Sequence, residues 1–150
     1  MAESIAYYEF EDSDFDSLLH MSQKLWTGFD EDALKELLIK TSKSNNQKIW
    51  IARAYGKRAG FSIFSIRTDY VEGAEKTPTG YLEGIFVEQE FRKLGIAKEF
   101  VQLGEKWCKE RGCRQIGSDT WLTDTKSRDF HKKVGFWEED ELVHFLKDIK

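Results

Sequence analysis

Proline, cysteine and long apolar runs are all scarce in this sequence. One proline and two cysteines occur among 150 residues, and no apolar run approaches the roughly 20 residues that cross a lipid bilayer. The N-terminus lacks the basic and apolar regions of a signal peptide. We therefore expect a cytoplasmic protein that has no membrane partner.

The two cysteines give no sign of a metal site. Cys108 and Cys113 lie five positions apart, which is not a zinc spacing, and an isolated pair in a cytosolic chain is rarely a disulfide. We interpret both as small apolar side chains, and we expect no metal cofactor.

A large excess of one charge is also missing. The 23 basic and 27 acidic residues give a net charge of −4, which argues against nucleic acid as a partner and is compatible with a cationic substrate. Hydrophobic content of 40% and charged content of 33% are typical of a globular protein. The length predicts one domain, residues 1–150.

Two common phosphate-binding loops are absent, since there is no Gly-x-x-x-x-Gly-Lys-Ser/Thr and no Gly-x-Gly-x-x-Gly after a strand. What the chain has instead is residues 81–97, where an apolar strand passes through a basic turn into a helix. The first N–H groups of a helix lack internal partners and attract anions. Gly95 permits close approach of a pyrophosphate, and Arg92 and Lys93 add positive charge. A simple turn residue is the alternative interpretation of this glycine.

Periodicity and turn residues predict the remaining elements. Helix N-caps are expected at Asp12–Asp14, at Asp30 and at Asp124 or Thr125, and Gly112 predicts the end of the helix that starts at Gly95. Strands are predicted over residues 4–10, 49–55, 59–68, 81–87, 115–120 and 142–146. A helical crossover between strands 81–87 and 115–120 favours their parallel pairing, whereas the earlier strands are antiparallel. The fold class is therefore α/β (α+β), with helices on both faces of a mixed sheet.

The spacing Arg92-x-x-Gly95-x-Ala97 resembles the Arg/Gln-x-x-Gly-x-Gly/Ala signature of the GNAT superfamily of N-acetyltransferases. The resemblance implies the GNAT acyl-CoA N-acyltransferase fold, in which two central parallel strands splay apart and leave a slot for the pantetheine arm. It also implies acetyl-coenzyme A as cosubstrate, with its pyrophosphate on this loop.

Further segments resemble one branch of the superfamily, the bacterial aminoglycoside 6′-N-acetyltransferases. The most specific are Asp69–Gly73 (Asp-Tyr-Val-Glu-Gly) and Pro78–Ile85 (Pro-Thr-Gly-Tyr-Leu-Glu-Gly-Ile). Lys24–Trp26, Ser118–Asp119 and the His131-x-x-x-Gly-Phe pattern follow the same order as in the branch. The resemblance runs along most of the chain.

The resemblance implies a function for sixteen positions. Contacts with the aminoglycoside are implied for Trp26, Tyr70, Glu83, Asp119 and Asp140, of which Glu83 and Asp119 are the catalytic acids. Contacts with coenzyme A are implied for Ile85, Phe86, Val87, Arg92, Lys93, Leu94, Gly95, Ile96, Ala97, Asp124 and His131. His131 stands where the superfamily often has a tyrosine, Asp124 where it often has asparagine, and Asp140 where relatives often have glutamate.

The residue types agree with this chemistry, although structural alternatives exist. Glu83 lies within an apolar strand, where a carboxylate needs a partner or a wet cleft, and the following Gly84 would allow close approach of a ligand. Two carboxylates at the ends of adjacent parallel strands can hold an ammonium group and accept its proton. Trp26 and Tyr70 could equally be core aromatics, His131 a structural imidazole, Glu83 a solvent-facing residue and the acids at 138–141 a solvated turn.

The sequence thus predicts direct acetyl transfer from acetyl-coenzyme A to the 6′-amine of an aminoglycoside, with antibiotic resistance as the outcome. A homodimer is expected, since the superfamily is often dimeric and the last predicted strand could exchange between copies. Two alternatives remain: an acetyltransferase for a polyamine or a protein amine, and an acyl-coenzyme A-binding regulatory module without turnover.

Overall fold

Strands and helices follow one another in the order β-α-α-β-β-β-α-β-α, as the sequence predicts up to the last helix. The computed structural model describes residues 4–150. Residues 1–3 lie outside the described residues, and with them the start of the predicted domain and of the N-terminal segment that lacks signal-peptide features. Within the described range the elements are β1 (Ala6–Glu9), α1 (Phe15–Leu25), α2 (Glu31–Lys43), β2 (Gln47–Ala54), β3 (Lys57–Arg67), β4 (Thr79–Val87), α3 (Ile96–Glu110), β5 (Ile116–Ser118) and α4 (Thr125–Lys133). Single 3₁₀ turns cover Asp12–Asp14 and Gln89–Phe91.

The five strands form one sheet in sequence order, β1-β2-β3-β4-β5. Strands β1 to β4 pair with one another in antiparallel orientation, and β4 pairs with β5 in parallel. This mixed sheet is the predicted one. The parallel pair is possible because α3 supplies the long crossover that such a connection needs.

Two apolar cores lie against the sheet. One contains Leu18 and Met21 of α1 and Leu34 and Leu38 of α2, packed on β2 and β3. The other contains Ile96 and Phe100 of α3, together with Trp50, Phe64 and Leu82. Helices therefore cover both faces, and α1, α2 and α3 each bury an apolar stripe, whereas α4 buries no residue.

The predicted side-chain caps form at α2 and α4, whereas Asp14, at the start of α1, makes no capping hydrogen bond to that helix. The Asp30 carboxylate accepts a hydrogen bond from the backbone N–H of Ala33, and Asp124 does the same for Ser127. Gly104 marks the closest approach of α3 to the sheet, because a Cβ atom there would lie 2.2 Å from the Phe64 ring. The position of α3 over β3 thus depends on this missing side chain.

One predicted element is wrong. Residues 142–146 form no strand. Residues 137–150 have no regular secondary structure, and their large apolar side chains are exposed, from 68% at Trp137 to 98% at Ile149. A strand needs a partner edge, and this segment contacts none within residues 4–150. The β5 strand is also shorter than predicted, at three residues.

Candidate functional site

The parallel pair β4–β5 opens into a fork. Pairing runs from Gly80 opposite Ile116 to Leu82 opposite Ser118 and then stops, although β4 continues to Val87. In the part of the chain that the structure describes, residues 83–87 therefore have one edge without a neighbouring strand. Glu83 and Asp119 are the first residues beyond the last pair, one on each arm of the fork.

A β-bulge sets the direction of Glu83. On β3, the consecutive residues Ile63 and Phe64 lie opposite Gly84 and Leu82, so that Glu83 is an extra residue without a partner. Bulges of this kind re-aim side chains and are frequent beside active sites. The simple alternation expected for this strand breaks here.

The Glu83 carboxylate is held by two residues of β3. Arg67 donates two hydrogen bonds, from Nη2 to Oε1 at 2.9 Å and from Nε to Oε2 at 3.1 Å, and the Ser65 hydroxyl donates a short bond to Oε2. Ser65 and Arg67 are two residues apart and so lie on one face of the sheet. Burial lowers the pKa of the Arg67 guanidinium, but the hydrogen bonds and charge of Glu83 outweigh it and leave that pKa raised.

Asp119 is linked to the Arg67 guanidinium through Tyr81. The Tyr81 hydroxyl donates to Asp119 Oδ2 at 2.5 Å, while the Arg67 guanidinium lies 3.4 Å from the centre of the Tyr81 ring. Burial raises the pKa of Tyr81 most, and the hydrogen bond that its hydroxyl donates to Asp119 and the charge of that carboxylate raise it further. The phenol therefore stays protonated and remains a donor at neutral pH.

Gly84 has a different use from the one expected. A Cβ atom at Gly84 would lie 2.6 Å from the indole of Trp26, so the missing side chain makes room for this tryptophan. Trp26 follows α1, is half-buried and also packs on Phe61 at 6.1 Å between ring centroids. It thus forms a partly exposed wall against β4.

The other predicted acceptor residues lie around two cavities. Tyr70 and Glu83 line one of about 420 Å³; Tyr70 is 72% exposed, and its hydroxyl accepts a hydrogen bond from the Gly73 N–H. Asp119 and Asp140 line a second one of about 1200 Å³. Trp26 lines neither of these two cavities.

The basic turn after β4 has the geometry of an anion site. Lys93 and Gly95 both adopt left-handed backbone conformations, with φ of 67° and 83°, an arrangement that points successive N–H groups into one concavity. Within the described chain, the N–H groups of residues 93–98 donate to no backbone carbonyl. Predicted cofactor residues Arg92 to Ala97 thus surround the positive N-terminus of α3.

Arg92 fastens this turn to the end of β4. Its Nε donates to the Val87 carbonyl at 2.9 Å, and its guanidinium carbon lies 5.9 Å from the centre of the Phe86 ring. The predicted pantetheine residues, Ile85 to Val87, therefore join directly to the anion turn.

His131 lies on α4 and Asp124 caps that helix, beside the other arm of the fork. His131 Nδ1 donates to the Ser127 carbonyl at 2.7 Å, so in the neutral imidazole Nε2 accepts from the Ser118 hydroxyl, also at 2.7 Å. Ser118 is the residue before Asp119. The carboxylate of Asp124 is engaged as the cap of α4.

The two cysteines are free and buried. Burial raises the pKa of the Cys108 thiol to about 12 and also raises that of Cys113. Neither forms a thiolate at neutral pH, so neither is an activated nucleophile.

Comparison with known proteins identifies the family. The profile of the Acetyltransferase (GNAT) family matches residues 15–136. The chain belongs to the GNAT acetyltransferase family. The resemblance to this family and the fold that it implies are therefore confirmed.

Among the similar members of the GNAT family is the aminoglycoside N(6′)-acetyltransferase type 1 of Salmonella typhimurium strain LT2. It is 35% identical over 127 residues, which cover 85% of this chain and 88% of that protein. Of the solved structures, the aminoglycoside N-acetyltransferase AAC(6′)-Iy in complex with CoA superposes with a TM-score of 0.93 at 30% identity, covering 99% of this chain and 98% of that one. The same enzyme with the bisubstrate analogue CoA-S-monomethyl-acetylneamine gives a TM-score of 0.91 at 30% identity, covering 97% and 99%.

Four residues of this GNAT site escaped sequence reasoning: Ser65, Arg67, Tyr81 and Ser118. Each lies within a predicted strand or at its end, where a polar side chain usually faces solvent, and only the fork brings them against the predicted acids. The bulge at Glu83 leaves no signal in the sequence that distinguishes it from ordinary alternation.

No helix of residues 4–150 is both long and apolar enough to traverse a bilayer. In the same range no three His, Cys, Asp or Glu side chains come together as metal ligands.

Proposed function

We propose that this chain transfers the acetyl group of acetyl-coenzyme A to the 6′-amino group of aminoglycoside antibiotics, and that it thereby confers resistance to them. The observation that carries the proposal is the fork between β4 and β5, with a carboxylate on each arm and an anion turn at the end of β4. The curated relatives named as aminoglycoside N(6′)-acetyltransferases support the choice of acceptor.

Acetyl-coenzyme A binds along the open edge of β4. Ile85, Phe86 and Val87 form the strand segment that binds the pantetheine arm, through the backbone groups that alternate residues turn to the open edge. The turn from Arg92 to Ala97 receives the pyrophosphate. The backbone N–H groups near Phe86 and Val87 polarise the thioester carbonyl as negative charge develops on its oxygen. This places the acetyl carbon near the head of the fork.

The acceptor amine lies between the two carboxylates. A 6′-ammonium is protonated at neutral pH, so it must lose a proton before its nitrogen can attack. Glu83 and Asp119 bind the ammonium and take up this proton, directly or through a water molecule. Trp26 and Tyr70 offer flat faces to the sugar rings, and Asp140 adds negative charge for the other amines.

The pair Ser118–His131 serves the departing thiolate. Imidazole and hydroxyl form one hydrogen-bonded unit next to the fork. In the imidazolium form Nε2 donates to the Ser118 hydroxyl, which frees the hydroxyl proton for the sulfur, and the imidazolium proton replaces it. Asp124 contacts coenzyme A at the start of α4 while it caps that helix. Because both cysteine thiols are held protonated, transfer is direct within a ternary complex and uses no cysteinyl intermediate.

The whole chain, residues 1–150, acts as one catalytic domain and forms a homodimer in the cytoplasm. Two free cysteines are typical of a reducing compartment. Exposed apolar side chains at 142–149 and the open outer edge of β5 support exchange of this segment between two copies, because a partner strand there would satisfy both.

The assignment of the two acids is tested by Glu83→Gln and Asp119→Asn. Each change removes a proton acceptor, so we expect kcat/KM for a 6′-amino aminoglycoside to fall about a hundredfold or more, while KM for acetyl-coenzyme A stays within about twofold of that of the wild type. Thiol release is the readout, and Glu36→Gln on the exposed face of α2 is the matched control. Near-normal turnover in both variants would overturn the roles given to these acids.

A further inference from the structure

Arg67 has no part in the reaction described so far, although its guanidinium is the centre of the contacts at the fork. It is the last residue of β3, opposite Thr79. Its side chain is 41% exposed and lines the same cavity as Tyr70 and Glu83. An arginine at the head of a site for a cation needs an explanation, because its charge opposes binding of the acceptor.

The contacts with Glu83 leave one direction of that carboxylate free. An ionised carboxylate has about four positions at which it accepts hydrogen bonds. Arg67 Nη2 fills one on Oε1, whereas Arg67 Nε and the Ser65 hydroxyl fill both on Oε2. The planar, bidentate pairing fixes the plane of the carboxylate, so only Oε1 has a position left for an acceptor amine.

Through its contact with Tyr81, Arg67 also influences the orientation of Asp119. The guanidinium lies flat over the ring, and the hydroxyl of that ring donates to Asp119. One cation is thus in contact with Glu83 directly and with Asp119 through one intervening side chain.

Charge gives a second reason for the arginine. Two carboxylates side by side repel each other, and one of them then tends to take up a proton. With Arg67 between them the fork carries two negative charges and one positive charge. The single negative charge that remains matches one ammonium group.

We propose that Arg67 is a positioning residue of the acceptor site, which fixes Glu83 and, through Tyr81, Asp119 in the geometry that receives the substrate amine. It acts through these two acids and does not contact the reacting atoms. The inference rests on the proposed function, since it concerns the same acceptor site.

The test compares Arg67→Gln, Arg67→Lys, Glu83→Gln and the double variant Arg67→Gln/Glu83→Gln. For Arg67→Gln we expect kcat/KM for the aminoglycoside to fall about tenfold or more, with KM for acetyl-coenzyme A within about twofold of the wild-type value. Arg67→Lys should recover part of the loss. If Arg67 acts through Glu83, the double variant is no more than about twofold worse than Glu83→Gln alone. Arg53→Gln, an exposed arginine of β2, is the control with the same change of charge.

Two results would overturn the inference: additive losses in the double variant, or equal losses for acceptor and acetyl-coenzyme A. Tyr81→Phe covers the case in which Arg67→Gln does not fold, because it keeps the ring under the guanidinium and removes only the donor to Asp119. It must then show the same acceptor-specific loss.

Wild-type protein that releases no thiol with any aminoglycoside would refute the proposed function as well, whereas normal wild-type turnover with unchanged variants would refute this inference alone.

Discussion

Single side chains fix the geometry of the fork. The bulge turns Glu83 towards Ser65 and Arg67, and the Tyr81 hydroxyl holds Asp119. Each acid is therefore held by a partner on β3 or β4. A side chain so held loses little conformational freedom when the substrate binds, which favours catalysis.

Asp14 is a buried acid far from this site, and it predicts a dependence of stability on pH. It is 1% exposed; burial raises its pKa, but hydrogen bonds from Arg58, the Glu11 N–H and Tyr8 outweigh burial and leave the pKa lowered. A depressed pKa in the folded state stabilises the fold above the unfolded value of about 3.9. That stabilisation is lost as the pH falls through the folded-state pKa.

We expect Asp14→Asn to lower the free energy of unfolding by about 1–3 kcal/mol at pH 7. The difference from the wild type should shrink as the pH falls below about 4, because the wild-type carboxyl is protonated first in the unfolded chain and then, at its lowered pKa, in the folded protein. Urea unfolding at several pH values measures this, with the exposed Asp16→Asn on α1 as control. A difference between the proteins that is independent of pH would contradict the ionic role of Asp14.

At the scale of single residues the sequence was only partly informative. The acids Glu83 and Asp119 could be proposed because carboxylates are costly in an apolar strand and their positions match the family pattern. Their partners could not, because Arg67, Ser65 and Tyr81 are close to them only through strand register. Gly84 was assigned to ligand approach, whereas its neighbour is the Trp26 indole.

Helix α3 is the element that links cofactor and sheet. Its N-terminus begins at the anion turn, and its middle packs on β3 through Gly104. The helix and its caps could be predicted, since an apolar stripe and two glycines mark it. The depth at which it packs depends on a contact between Gly104 and Phe64, which sequence periodicity does not reveal.

Gly104→Ala should therefore destabilise the protein. The new Cβ would lie 2.2 Å from the fully buried Phe64 ring, so α3 or the ring must shift, at a cost of about 1–3 kcal/mol that exceeds the gain of up to about 1 kcal/mol in helix propensity. Thermal unfolding measures the effect. Gln102→Ala on the exposed side of the same helix is the control, and a Gly104→Ala protein as stable as this control would contradict the packing argument.

At the scale of the whole molecule, the fold was predictable up to α4, and the C-terminal segment was not. Residues 142–146 have the alternation of a strand, but a strand forms only where an edge is available. Within residues 4–150 the outer edge of β5 has no neighbour, and the apolar tail lies exposed. The alternation at residues 142–146 and the open edge of β5 are both explained if this segment pairs with the β5 edge of a second copy of the chain.

The proposed dimer has an expected mass of twice 17.6 kDa in light scattering after size-exclusion chromatography. Phe145→Ser/Leu146→Ser should shift the protein towards the monomer, because these two side chains are 85% and 91% exposed in the single chain and would be buried by the partner. Leu37→Ser/Ile39→Ser on α2 is the matched control. A monomeric wild type, or a variant as dimeric as the control, would contradict the exchange of the tail.

The central claim is that the fork acetylates a 6′-amine, and thiol release from acetyl-coenzyme A tests it most directly. The acceptors are two aminoglycosides that differ in a 6′-amine or a 6′-hydroxyl, with a linear polyamine as a third. We predict rapid thiol release with the 6′-amine and only background release with the 6′-hydroxyl and the polyamine. Equal release with both aminoglycosides, or release with the polyamine alone, would contradict the account.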